Sequence, residues 1–118
     1  MTTLVIHAPY HRVKSGAKSF SAVLATGIGD GYIITPTEFN VLNSSPNISV
    51  VVLDKDRRQR AEGILVNLVP TKKANNGGQR YDVYIKDLKT FPYKSASLNR
   101  NGVAVIVCSQ GRSMPKCP

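Results

Sequence analysis

The hydrophobic positions of the chain fall in short blocks separated by polar or turn-forming runs. Residues 3–8 (TLVIHA) and 19–26 (SFSAVLAT) are apolar blocks, and each reads as a strand. The polar run PYHRVKSGAK (9–18) between them reads as a loop, and Gly27-Ile28-Gly29-Asp30-Gly31 as a flexible turn. Residues 48–54 (ISVVVLD) are β-branched and apolar, which predicts a strand. Between 60 and 69, Ile64, Val66 and Leu68 share one face, and Gly63 marks a bend or bulge. RYDVYIKDL (80–88) alternates strictly, with Tyr81, Val83 and Ile85 facing one way and Asp82, Tyr84 and Lys86 the other, the signature of a half-buried strand. VAVIVC (103–108) is apolar at every position and predicts a central strand covered on both faces.

One helix is signalled directly. Thr35-Pro36-Thr37-Glu38 fits a capping box: Thr35 as N-cap, Pro36 at N1 where its missing N–H costs nothing, and Glu38 at N3 reaching back to the cap amide. Phe39 and Leu42 share a face, and Asn43-Ser44-Ser45-Pro46 stops the helix early. The loop 70–79 carries Asn75-Asn76-Gly77-Gly78, which favours positive φ and a hairpin, while DKDRRQ (54–59) makes a charged turn. Five to six strands with one short helix predict an α+β, mostly β domain: a small twisted β-barrel or a rolled mixed sheet, with the helix at one end. At 118 residues there is room for one domain, expected over 1–110 with a flexible tail at 111–118. That length excludes two-domain enzymes and large barrels.

Charge adds a direction. The chain carries 16 Lys+Arg against 7 Asp+Glu, a formal +9. Residues 1–29 hold Arg12, Lys14 and Lys18 and no acid, residues 89–118 hold five bases and no acid, and the segment 30–62 is nearly balanced. Such asymmetry attracts polyanions, nucleic acid above all. No secretory leader and no membrane-length apolar stretch is evident, so a cytoplasmic protein with no membrane partner is expected. Cys108 and Cys117 make no disulfide framework; Cys108 reads as a buried thiol, and a bridge between the two remains the alternative.

The block 36–95 resembles the PUA-like superfamily, and within it the EVE branch. The resemblance rests on Phe39 near the start of a short helix, the hydrophobic strand Val50 to Leu53, and Gly63-Ile64 after a basic start. It continues with Arg80-Tyr81 and Val83-Tyr84-Ile85 leading to a Pro-containing exit. Phe39 stands where the branch usually has tryptophan, and Pro46-Asn47 where it commonly has Gly-Asp. The resemblance implies a compact β-barrel that binds RNA or a modified, flipped-out base, without catalysis.

Other chemistry is thin. His7 and His11 bracket a proline, and no ligand set of the size zinc requires accompanies them, so no metal and no cofactor is expected. The glycines at 27–31 lead into Tyr32-Ile33-Ile34 rather than a helix, which argues against a phosphate loop. No serine or cysteine sits in a recognisable nucleophile motif, and Asp54 and Asp56 lie among Lys55, Arg57, Arg58 and Arg60 as in an ordinary solvated turn. The chain is therefore expected not to be an enzyme.

The basic residues are more informative. Arg57 and Arg58 crowd one turn, while Lys72, Lys73 and Arg80 frame the next; the strand between them sets these two groups at opposite ends. Tyr84 with Lys86 on the polar face of one strand is an aromatic beside a cation, suited to stacking a base and holding a phosphate; covering a second apolar layer is the alternative role for Tyr84. Tyr10 beside Arg12 repeats the pairing. The expectation is a non-enzymatic nucleic-acid-binding domain, for RNA or a flipped base, using Arg57, Arg58, Lys72, Lys73, Arg80, Tyr84, Lys86, Tyr10 and Arg12. The alternative is a protein-interaction module of a mobile element or phage, offering ISVVVLD as an edge strand to a partner sheet.

Overall fold

The computed structural model describes residues 2–8, 19–45, 47–74, 77–98 and 102–107. In chain order the elements are β1 (Thr2–His7), α1 (Phe20–Thr26), β2 (Ile28–Ile33), α2 (Pro36–Asn43), β3 (Ile48–Asp54), β4 (Gln59–Lys73), β5 (Gln79–Phe91) and β6 (Val103–Val107). The six strands form one sheet in the order β2-β5-β4-β3-β1-β6, curled into a half-barrel. The mostly β, rolled mixed sheet is therefore as expected. Every pairing is antiparallel except β1 with β3. A parallel pair needs a long crossover, and the chain between β1 and β3 supplies it with α1, β2 and α2.

The sheet is apolar on both faces over one half and on a single face over the other. Its inner face gathers Leu4, Ile6, Val50, Val52, Val83 and Ile85, closed by Phe20 and Val23 of α1 and Leu42 of α2. The outer face of β3 and β1 buries Val5, Val51 and Leu53 beneath Tyr93, Ala96 and Leu98, which follow β5 as a strap. Each fully buried aliphatic side chain is worth about 1.5–3 kcal/mol relative to exposure.

The capping box at α2 is present in full: Thr35 Oγ1 accepts from the Glu38 amide at 3.2 Å, and Glu38 Oε1 accepts from the Thr35 amide at 3.0 Å. Residues 19–26 are the clearest correction, since Phe20–Thr26 is a helix rather than a strand, giving two helices in place of one. The physical reason lies at its ends. Ser19 caps it, its Oγ accepting from the Ala22 amide at 3.4 Å, and Gly27, at φ 71°, donates to the Val23 carbonyl at 2.7 Å. The run Gly27 to Gly31 is correspondingly not one turn: Gly27 is the helix cap, and Ile28 onward is strand β2, irregular between Gly29 and Tyr32.

Two strand placements also differ from expectation. β6 is at the edge of the sheet, not its centre, and β3 is interior, paired to both β1 and β4, not an edge. From Val103 to Ile106 both faces of β6 find apolar neighbours, Val103 and Val105 packing inward and Ala104 and Ile106 against the Val5, Val51 and Leu53 cluster, while Val107 at its end is 62% exposed. β4 and β5 run longer than their apolar patterns. Their pairing shifts register three times, once between Glu62 and Ile64 around Gly63, where a bend was expected, and Asp87 takes φ 57° opposite that shift. The predicted tail at 111–118 and the two cysteines, Cys108 and Cys117, lie outside the described residues.

A candidate nucleic-acid interface

β5 is the spine of the candidate site. Its inward residues Val83 and Ile85 are buried, which leaves Asp82, Tyr84 and Lys86 on the outer face. Strand register extends that face sideways: Tyr84 stands between Ile28 of β2 and Asn67 of β4, and Lys86 beside Ile64 of β4. The strap packs over Val5, Val51 and Leu53, on the outer face of β3 and β1. Lys86, Lys89 and Asn67 are exposed, Ile64 is 43% exposed, and Tyr84 is half-buried. Tyr84 and Lys86 are thus neighbours on one face of the sheet, two strand steps or about 6.6 Å apart along the backbone.

Arg80 and Asp82, at the start of the same strand, are already engaged. The Arg80 guanidinium donates to the Gly31 carbonyl at 2.7 Å, and Asp82 Oδ1 accepts from the Gly31 amide at 3.1 Å. Gly31, at φ 73°, is the residue where β2 loses its register, and the two side chains clasp that irregular edge onto β5. Arg80 is a structural clasp rather than one of the open cations.

The turn between β3 and β4 is built on Asp54, whose fully buried carboxylate accepts from the Asp56 and Arg57 amides at 3.0 and 3.3 Å. Lys55, Arg57 and Arg58 are exposed there. Arg58 adopts φ 53° and sets its guanidinium over the Tyr93 ring, 4.7 Å from the centroid. Arg60, with a side chain only 10% exposed, pairs with Glu62. This end of the sheet is thus partly consumed in holding the strap.

Lys72 and Lys73 are exposed at the far end of β4. Fourteen strand steps, at about 3.3 Å each, separate Gln59 from Lys73, so the two basic groups flank opposite ends of the sheet as expected. Tyr10 and Arg12, along with His11, lie outside the described residues.

Sequence reasoning missed a groove between the first turn of α2 and the β4–β5 hairpin, about 420 Å³ in volume. Phe39 and Tyr81 line it as a stacked pair, ring centroids 5.2 Å apart and planes within 20°. Strict alternation placed Tyr81 inward, and the helix pattern placed Phe39 on its buried face, but only the fold brings the two together.

Among the described residues, no helix is long and apolar enough to cross a membrane, and no group of three or more His, Cys, Asp or Glu is arranged to hold a metal ion. The chain matches no family model, no curated protein and no solved structure at a significant level.

Proposed function

We propose that the chain is a non-enzymatic, cytoplasmic domain that binds single-stranded nucleic acid, RNA before DNA, across the outer face of β2, β5 and β4. The observation that carries this reading is the juxtaposition of Tyr84 and Lys86 on the half of the sheet the strap leaves open. An aromatic ring stacks on any base, and a neighbouring ammonium holds the phosphate, so the pair suits unpaired strands better than duplex. Lys89 extends the surface on the same strand, and Lys72, Lys73 and Arg57 supply charge at its two ends. The +9 net charge provides long-range attraction. The PUA-like resemblance points to the same ligand class.

The test is a titration of labelled single-stranded RNA at rising salt, with duplex as competitor. Binding at low salt that falls with a negative log–log slope, and resists duplex competition, supports the reading, because each neutralised phosphate releases counterion. No binding at low salt, or an affinity indifferent to salt, overturns it and leaves a protein partner as the reading to pursue.

A further inference from the structure

Arg60 stands in β4 opposite Leu53 of β3 and Phe91 of β5. Its side chain is nine-tenths buried, and the guanidinium spends one donor, Nη2, on Glu62 Oε2. A second donor, Nε, is buried and has no hydrogen-bond partner among the described residues. The guanidinium is planar with its donors in a fixed fork, so Nε cannot turn away without disturbing the Glu62 contact. A buried donor without an acceptor is costly, and more so on a charged group.

Beside Arg60 lies a cavity of about 40 Å³, floored by Val5, Val51 and Ile106 and closed by Lys94 and Ser95 of the strap. That is little more than the roughly 30 Å³ a water molecule takes up in the liquid, so the cavity admits one small head group. Among the described residues that line it there is no acid. The acid at hand, Glu62, is already paired with Arg60. Two cations, one of them buried, thus border a small space with an apolar floor, where attraction for an anion is stronger than in open solvent. A water would satisfy Nε alone. A carboxylate is flat, carries two acceptor oxygens, and answers both the unpaired donor and the charge.

We propose that this pocket binds a single carboxylate, one oxygen accepting from Arg60 Nε and the other facing the Lys94 ammonium. The carboxylate belongs to a small free acid or to an acidic side chain of a peptide. The site is independent of the nucleic-acid reading, because neither Tyr84 nor Lys86 lines it.

The experiment follows backbone amides by NMR while sodium acetate is added to the full chain, with sodium chloride at equal ionic strength as the control. The expected result is saturating shifts at Lys94, Ser95 and Ile106 with acetate and not with chloride. Lys94→Gln, at an exposed position, weakens acetate binding about tenfold through loss of one charge-assisted contact. Arg60→Lys keeps a charge for Glu62 but lacks Nε, and weakens it by a similar factor, with the fold checked by the amide spectrum. Tyr84→Ala leaves the acetate shifts in place. An acetylated, amidated Gly-Asp-Gly peptide separates the sources: tighter binding than acetate at the same amides assigns a peptide side chain, and weaker binding assigns a free acid. Shifts that chloride reproduces, or that Lys94→Gln leaves unchanged, overturn the assignment. So does the absence of any acetate shift at these three amides, which leaves Nε to water.

Discussion

The Arg80 guanidinium donates to the carbonyl of Gly31 at 2.7 Å, while Asp82, two residues on, accepts from the amide of the same glycine. One residue of the edge strand is thus held from both sides of its peptide by two side chains of β5. A hydrogen bond from a charged donor is worth about 1.5–3 kcal/mol. Arg80→Ala is therefore expected to lower the urea-unfolding free energy by about 1–2 kcal/mol while leaving the salt slope of nucleic-acid binding unchanged. A reduced slope at unaltered stability would return Arg80 to the phosphate contacts.

Tyr84 and Lys86 are expected to fail in different ways. Tyr84→Ala removes a stacking platform and weakens single-strand binding by about 1–3 kcal/mol, whereas Tyr84→Phe keeps the ring and most of the affinity. Lys86→Ala lowers affinity modestly and makes the salt slope shallower by about 1. Fluorescence anisotropy across a salt series reads both quantities, and a Tyr84→Phe variant as weak as Tyr84→Ala would show that the ring does not stack.

Arg58 holds two opposing contributions. Its φ of 53° is unfavourable for a side chain with a Cβ, yet its guanidinium covers Tyr93. Arg58→Ala keeps the strained backbone and loses the cation–π contact, so stability drops by about 0.5–1 kcal/mol. Arg58→Gly also relieves the backbone and is expected to be the more stable of the two. Thermal midpoints of both variants decide it, with Tyr93→Leu closing a double-mutant cycle.

Gly63 lies where β4 crosses the register shift. A Cβ there would stand 2.7 Å from the Lys86 carbonyl oxygen and 2.7 Å from the Ile85 Cγ2. The first is backbone in a paired strand and has nowhere to move, so Gly63→Ala is expected to destabilise by about 1–3 kcal/mol. An unfolding midpoint equal to that of the parent chain would contradict this packing.

Elements with strong local chemistry were legible in the sequence. The Thr35–Glu38 capping box and the alternation of RYDVYIKDL each mark an element by residues that lie within it. SFSAVLAT was not legible, because a seven-residue helix is too short for its period to separate from a strand. Its defining signals sit at the ends, Ser19 as the first residue of the block and Gly27 just past its last. The exchange of β3 and β6 between interior and edge has another cause. An all-apolar strand reports that both faces are covered, and a strap covers an edge strand as well as a second layer does. Of the candidate site, Tyr84 and Lys86 were readable from alternation, but the engagement of Arg80 with Gly31, and the meeting of Phe39 with Tyr81, depend on residues more than forty positions apart.

The strap that carries Tyr93, Ala96 and Leu98 also works as a ruler. By occupying the outer face of β3 and β1 it ends any ligand track that starts on β2. Across the sheet, β2, β5 and β4 leave two inter-strand spacings, about 10 Å, before the covered strands begin. On the proposed nucleic-acid reading, a strand laid across the sheet from β2 is stopped after that width while one laid along β5 is not, so the strap sets the direction of a bound strand as well as its reach.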